Sequence, residues 1–92
     1  MIQARIFVSG YVQGVGYRAH VIHQARQMNI CGWARNLSDG RVEIFTQADE
    51  STLDAFISTL WKGTMLSEVK DIVIEHEKLE EHLVSFEKVD SV

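Results

Sequence analysis

The 92-residue chain has no proline, a single cysteine and no long apolar run. Because Cys31 alone cannot form an internal disulfide, the sequence does not indicate a secreted, disulfide-bridged scaffold. No segment approaches the ~20 apolar residues that a membrane-spanning helix needs. The N-terminal region offers only Ile6-Phe7-Val8, which is much shorter than the apolar region of a signal peptide. These absences predict a cytoplasmic protein with no membrane partner.

Basic residues are outnumbered, with nine lysines and arginines against thirteen acids and a net charge of −4. This balance predicts no nucleic-acid partner, because nucleic-acid-binding domains normally carry a basic surface. The charge is also uneven, at +3 over residues 1–46, which hold every arginine, and −7 over residues 47–92. Since arginine suits bidentate binding of oxyanions, the first half of the chain is where we expect an anion site.

Length and composition predict one globular domain over residues 1–92, because domains typically run ~100–150 residues. Hydrophobic residues make up 46% of the chain and charged residues 24%, which is typical of folded rather than disordered proteins. We find no internal repeat, low-complexity tract or linker. No self-complementary surface is evident either, so we expect a monomer.

Residue periodicity predicts an alternation of strands and helices. Period-two alternation or apolar, β-branched runs predict strands, at residues 2–8, 33–36, 42–46, 69–74 and 83–89. Apolar residues at helical spacing predict two helices, at residues 17–29 and 51–62. The spacing of Ser51 and Asp54 resembles a capping box, Gly63 is placed as a C-terminal cap, and Asp39-Gly40 predicts a hairpin turn. The charged segment 75–81 is expected to be a solvated connector or a sheet edge.

The resulting order is β-α-β-β-α-β with one short extra strand. It predicts an α+β, ferredoxin-like two-layer sandwich in which two helices pack on one face of an antiparallel sheet. Because this fold serves many unrelated functions, the function must be argued from a site.

A glycine-rich stretch over residues 10–16 links the first strand to the first helix. Glycines let the backbone approach a ligand closely, and the first amides of a helix have no intrahelical acceptor. Such a loop therefore favours an anion, and Arg18 is placed where its guanidinium can close over one.

Three phosphate-binding motifs compete for this stretch. Residues 14–19 match the dinucleotide pattern G-x-G-x-x-A, but that motif needs a doubly wound parallel sheet that 92 residues cannot provide. A Walker loop is excluded because no Gly-Lys-Ser/Thr follows. The third motif combines GYVQGVGYR at residues 10–18 with GWARNLSDGRV at residues 32–42.

Taken together, these two segments closely resemble the acylphosphatase family, and chain length and element order agree over nearly the whole chain. The resemblance implies hydrolysis of the carboxyl-phosphate anhydride bond of acyl phosphates, giving a carboxylate and inorganic phosphate without metal or cofactor. It further implies that loop amides bind the phosphoryl group, that Arg18 clamps it and that Asn36 orients the attacking water. The loop residues concerned are Gln13, Gly14, Val15, Gly16, Tyr17 and Arg18.

Metal-free catalysis is reasonable for this bond, because a carboxylate leaves without a general acid and phosphoryl transfer needs mainly positioning and charge stabilisation.

The sequence departs from the family at three positions. Tyr17 replaces the usual Phe or Met, and its hydroxyl needs a partner if it is buried. Ala48 replaces a usual glycine, and Thr64 stands where many members have the proline of Gly-Pro.

Other interpretations remain open from the sequence. The alternatives are a non-catalytic module that binds a small anion or a partner protein, and a relative that acts on carbamoyl phosphate or within a larger maturation enzyme. Taken alone, Arg18 is typical of a solvated side chain, and Asn36 is typical of a residue that forms an Asx turn. His20 and His23 with Cys31 fall short of supported zinc geometry, so we predict no metal. Cys31 and the two tryptophans, Trp33 and Trp61, are expected to pack in or near the core.

Overall fold

The computed structural model describes all 92 residues, and its elements follow the predicted order. In chain order they are β1 (Ile2–Tyr11), α1 (Tyr17–Gln27), β2 (Cys31–Asn36), β3 (Val42–Ala48), α2 (Glu50–Lys62), β4 (Glu68–Glu77) and β5 (Phe86–Lys88). The ferredoxin-like sandwich is therefore confirmed, including the short extra strand. Neither helix has the length and apolarity needed to cross a membrane.

The five strands form one sheet in the order β4-β1-β3-β2-β5. β1 lies between β3 and β4 and pairs antiparallel with both, and β2 pairs antiparallel with β3. β5 adds one parallel pair at the edge, with Gly32 opposite Phe86 and Ala34 opposite Lys88. The segment after β4 crosses to the opposite edge of the sheet before β5 begins. β5 therefore runs antiparallel to β4 and parallel to its neighbour β2. This crossing brings residues near 88 beside the end of β2.

One face of the sheet packs against both helices to form the core. Alternate side chains of β1 point inward, and the helices contribute their apolar stripes. These fully or almost fully buried residues include Ala4, Ile6 and Val8 from β1, Val21 and Ala25 from α1, and Leu53, Phe56 and Leu60 from α2. The opposite face of the sheet has no helix, and it carries polar and aromatic side chains instead.

The start of α2 differs from the capping box expected at Ser51. The N-terminal cap is Asp49, whose Oδ1 accepts a hydrogen bond from the Thr52 amide at 2.8 Å. Ser51 already lies in the helix and donates from its hydroxyl to the same carboxylate at 3.1 Å. Asp49 caps because it has extended backbone geometry just before the first helical turn. Gly63 is the C-terminal cap, as predicted.

Three further expectations are corrected by tertiary contacts. β4 extends beyond the predicted residues 69–74 to Glu77 because it pairs with β1 as an edge strand, with Gln3 opposite Glu77. Residues 75–77 thus form the expected sheet edge, and the rest of the charged segment is a connector. Trp61 is 49% exposed on the outside of α2, and Cys31 is only half-buried. Trp33 is partly buried, as expected, but it lies on the helix-free face, stacked on Phe45 with ring centroids 5.5 Å apart.

Candidate active site

The loop between β1 and α1 turns on two glycines in left-handed conformations. Gly14 has φ 74° and Gly16 has φ 77°, values that other residues rarely adopt. Gly16 is also the N-terminal cap of α1, with no side-chain cap and no acidic residue in the first turn. No atom lies within 4 Å of where a Cβ would stand on either glycine. The space beside both glycines is therefore open, and it adjoins the positive end of α1, which favours an anion.

A cleft of about 360 Å³ opens over this loop and gathers residues from four parts of the chain. It is lined by Val12, Gly14, Gly16, Tyr17, Arg18, Ala19, Ile22, Asn36 and Lys88. The structure thus brings Arg18 and Asn36 together across the eighteen residues that separate them in sequence. Although the chain is acidic, the cleft lining holds two cationic side chains and no carboxylate.

Arg18 is half-buried at the start of α1 and has no carboxylate partner. Its only side-chain hydrogen bond goes from Nη1 to the Ser91 hydroxyl, at 3.3 Å. A long bond to a neutral hydroxyl leaves the guanidinium charge uncompensated. Arg18 can therefore offer its planar donor fork to an oxyanion in the cleft.

Asn36 ends β2, and its side-chain Oδ1 is buried without a hydrogen-bond donor. A buried acceptor without a partner costs free energy, so such atoms are rare unless water or a ligand satisfies them. The hairpin turn that follows is stabilised by Asp39, whose carboxylate accepts from the Arg41 amide at 3.1 Å. Asn36 Oδ1 therefore does not serve that turn, and it remains an unsatisfied acceptor on a residue that lines the cleft.

Gln13 contributes a contact that the sequence interpretation missed, because we expected only its backbone to matter. Its side-chain amide donates to the carbonyls of Leu37 at 2.8 Å and Arg41 at 2.9 Å. These bonds fasten the glycine loop to the hairpin that begins just after Asn36. Gln13 and Val15 do not line the cleft, whereas the other predicted loop residues do. Gln13 thus fixes the loop relative to Asn36.

Tyr17 and Thr64, two of the departures from the family pattern, support the loop from the α2 side. The Tyr17 side chain is almost fully buried, and its hydroxyl donates to the Leu60 carbonyl at 2.8 Å. The expected need for a partner is therefore met, and burial raises the pKa of Tyr17 so that it stays protonated. Thr64 donates from Oγ1 to the Val15 carbonyl at 3.2 Å. Both contacts fasten the loop to the C-terminal end of α2 and the segment just after it.

Lys88 also lines the cleft and was not predicted as a site residue. It is exposed at the end of β5 and forms no ion pair. Only the parallel pairing of β5 with β2 brings it near the loop, and no local pattern signals that pairing.

The histidines do not assemble a metal centre. No group of three or more His, Cys, Asp and Glu side chains is arranged to hold a metal ion. His20 has its Nε2 buried without a partner, and its ring lies 6.5 Å from that of Tyr17. Cys31 lines a separate pocket with Arg26.

Comparison with known proteins agrees with this geometry. The family model described as Acylphosphatase matches residues 4–88. The acylphosphatase of Bacillus subtilis (strain 168) is 43% identical over 83 residues, which cover 89% of this chain and 91% of that protein. The acylphosphatase of Archaeoglobus fulgidus is 41% identical over 82 residues, covering 89% of this chain and 92% of that protein.

Solved structures give the same result. The crystal structure of acylphosphatase from Bacillus subtilis matches with a TM-score of 0.93 and 38% identity, covering 97% of this chain and 99% of that one. A crystal structure of full-length HypF in the phosphate- and nucleotide-bound form matches with a TM-score of 0.85 and 33% identity, over 99% of this chain but only 12% of that protein. On the family model and on similarity that spans most of both chains, this chain belongs to the acylphosphatase family of hydrolases.

Proposed function

We propose that this chain hydrolyses acyl phosphates, using the loop over residues 13–18 with Arg18 to bind the phosphoryl group and Asn36 to orient water. The observation that carries the proposal is the convergence on one cleft of three groups that retain free hydrogen-bonding capacity. These are the uncapped first turn of α1, the Arg18 guanidinium and the buried Oδ1 of Asn36. Membership of the family supports the reaction class.

Phosphate binding follows from the charge and the backbone. Open space lies beside Gly14 and Gly16, so no side chain keeps a phosphate oxygen away from the loop amides. These amides and the Arg18 fork donate to the non-bridging oxygens, whose charge must be held in the loose transition state. Gln13 and Tyr17 hold the loop rigid, so that little reorganisation is needed during the reaction.

Hydrolysis then needs a positioned water and a leaving group. A water held by Asn36 Oδ1 attacks phosphorus, the new P–O bond forms, and the bond from phosphorus to the acyl oxygen breaks. The bonding electrons remain on the acyl oxygen, giving a carboxylate, and the water proton passes to a phosphate oxygen or to solvent. Since a carboxylic acid has a pKa of about 4, the leaving group needs no proton. The absence of any carboxylate or histidine from the cleft lining is consistent with such a reaction.

The decisive experiment is hydrolysis of benzoyl phosphate by the purified protein with a chelator present. We expect rapid turnover in the wild type, and a roughly 10²–10³-fold lower kcat in Asn36→Ala with phosphate inhibition retained. Arg18→Gln should lose both turnover and phosphate inhibition. Gln27→Ala, which removes an exposed side-chain amide from the far end of α1, is the matched control.

Each outcome has a distinct meaning. No turnover above the spontaneous rate would favour the alternative, a module that binds an anion or a partner without catalysis. Equal rates in wild type and Asn36→Ala would remove Asn36 from the mechanism, and undiminished phosphate inhibition in Arg18→Gln would remove the clamp. Loss of activity to the chelator would contradict the metal-independent reaction.

The proposal includes a cytoplasmic, monomeric enzyme made of one domain over residues 1–92. A single core cluster contains side chains from both helices and from every strand except β4. The apolar side chains of β4 pack against this cluster. Size-exclusion chromatography with light scattering tests the monomer, and cell fractionation tests the location.

A further inference from the structure

Lys88 is a cation in the cleft without an assigned task. It lines the cleft with Arg18 and Asn36, yet it forms no ion pair and no side-chain hydrogen bond. Its neighbour Glu87 is engaged with Arg26, at 3.6 Å. An exposed ammonium in a cleft without carboxylates is available to an anionic ligand.

The register of β5 places Lys88 away from the reacting groups. Lys88 lies opposite Ala34, a buried residue, so both project toward the helix side of the sheet. Asn36 lies two residues further along β2, which corresponds to about 7 Å of strand. Lys88 is therefore set back from the position proposed for the attacking water.

On the other wall of the cleft, helix α1 extends a similar distance away from Arg18. Ile22 follows Arg18 by four residues, which places it about 6 Å further along the helix axis. Ala19 and Ile22 line the cleft beyond Arg18 and provide an apolar surface. The cleft thus runs from a phosphate end at Arg18, over this apolar surface, to Lys88 at the edge of the sheet.

We propose that Lys88 determines substrate specificity, so that the enzyme prefers acyl phosphates whose acyl part carries a second anionic group. The inference rests on the proposed function, because it assigns the apolar stretch to the acyl group. The ammonium binds the distal anion, and the phosphoryl group stays with the loop and Arg18. A contact so far from phosphorus is equally strong in the ground state and the transition state, so it acts mainly on KM.

The test compares benzoyl phosphate with 3- and 4-carboxybenzoyl phosphate, whose rigid ring prevents the added carboxylate from attacking its own anhydride. The measured quantity is the ratio of kcat/KM for each carboxylated substrate to that for benzoyl phosphate. We expect Lys88→Met to lower this ratio for at least one isomer by roughly three- to tenfold, mainly through KM. Lys88→Arg should retain the preference, and Lys88→Glu should lower the ratio further.

Two controls separate this effect from others. Lys70→Met removes an exposed lysine from β4 at the opposite edge of the sheet and should leave the ratio unchanged. Raising the salt from about 0.01 M to 0.5 M should reduce the preference in the wild type but not in Lys88→Met, because salt screens exposed charges.

The proposal is overturned if Lys88→Met leaves both ratios unchanged. It is also overturned if Lys88→Met weakens all three substrates and inhibition by inorganic phosphate by one common factor, since Lys88 would then act on the phosphoryl group. Absence of wild-type turnover of benzoyl phosphate itself would instead refute the proposed function, so the two failures are distinguishable.

Discussion

Among single residues, the five arginines differ in what they bind. Four of them lie within 4 Å of carboxylates, with Arg5 near Glu43 and Glu77, Arg26 near Glu87, Arg35 near Glu43, and Arg41 near Asp39. Arg18 has only a long bond to a hydroxyl. A carboxylate that pairs with a guanidinium largely neutralises its charge. Arg18, which has no such partner, is therefore the arginine best able to bind an anion.

The Gln13 side chain gives a prediction at this scale. Gln13→Ala removes both donors that fasten the loop to the carbonyls of Leu37 and Arg41. We expect kcat/KM for benzoyl phosphate to fall roughly tenfold, because small misplacements of a binding group slow catalysis strongly. Chemical denaturation should show a loss of about 1–2 kcal/mol in the free energy of unfolding. Gln27→Ala is again the control, and unchanged kinetics in Gln13→Ala would show that the loop keeps its position without these bonds.

The sequence was informative about single residues where a motif surrounded them. Arg18 and Asn36 were predicted from two segments in the right order, and the cleft contains both. Gln13 and Lys88 were not assigned side-chain roles, because their contacts depend on tertiary pairing. Gln13 bonds to residues 24 and 28 positions away, and Lys88 reaches the cleft through the parallel pairing of β5. Local periodicity carries no information on either contact.

At the scale of elements, the cap of α2 can be tested directly. Asp49→Ala removes the acceptor for the Thr52 amide and should lower the free energy of unfolding by about 1 kcal/mol. Ser51→Ala leaves that acceptor in place and should cost much less. Thermal or urea unfolding measures both variants. If Ser51→Ala proved the more destabilising of the two, Asp49 would not be the cap.

The helix-free face of the sheet is held by an ionic cluster across β1, β2, β3 and β4. Glu43, whose side chain is only 5% exposed, accepts from Arg5 at 2.6 Å and Arg35 at 2.7 Å. Burial alone would raise the pKa of Glu43, but the hydrogen bonds and charges of the two arginines outweigh it and lower the pKa. Hydrogen bonding from Arg5 likewise lowers the pKa of Glu77. Both carboxylates therefore favour the folded state when ionised.

This cluster predicts acid sensitivity. A carboxylate whose pKa is lowered by folding stabilises the protein above its unfolded pKa, and that stability is lost as the pH falls through the folded value. We expect the free energy of unfolding to decrease below about pH 4.5. Glu43→Gln should be less stable at neutral pH and show a shallower loss in acid. Urea titrations from pH 7 to 3 measure both effects, and an identical pH slope in the variant would contradict the role of Glu43.

Element bounds were predicted well where packing and pattern agree. The apolar stripes of α1 and α2 and the alternation in β1 reflect burial on one face, so they are visible in the sequence. The continuation of β4 to Glu77 was not, since its charged residues form a strand only because β1 offers an open edge. β5 is shorter than predicted for the converse reason, because only residues 86–88 find a partner in β2.

At the scale of the whole molecule, the sheet order makes strands that are distant in sequence neighbours in space. β1 is central, and Gln3 pairs with Gln47 on one side and Glu77 on the other. The chain loses the entropy of closing such long loops before the contacts between distant strands can stabilise the fold. This entropic cost slows folding. With no proline in the chain, slow peptide isomerisation does not limit refolding.

The central position of β1 therefore has a kinetic consequence. Stopped-flow refolding followed by tryptophan fluorescence should give one exponential phase in the range of about milliseconds to seconds, without the phase of tens of seconds that proline isomerisation produces. A dominant minute-scale phase at low protein concentration would contradict this expectation. During synthesis, β1 emerges before the other four strands, but it cannot begin to pair with β4 until Glu68, 57 residues after its partner Tyr11, has followed. Of the five strands, the one that leaves the ribosome first is thus among the last to have both of its edges covered.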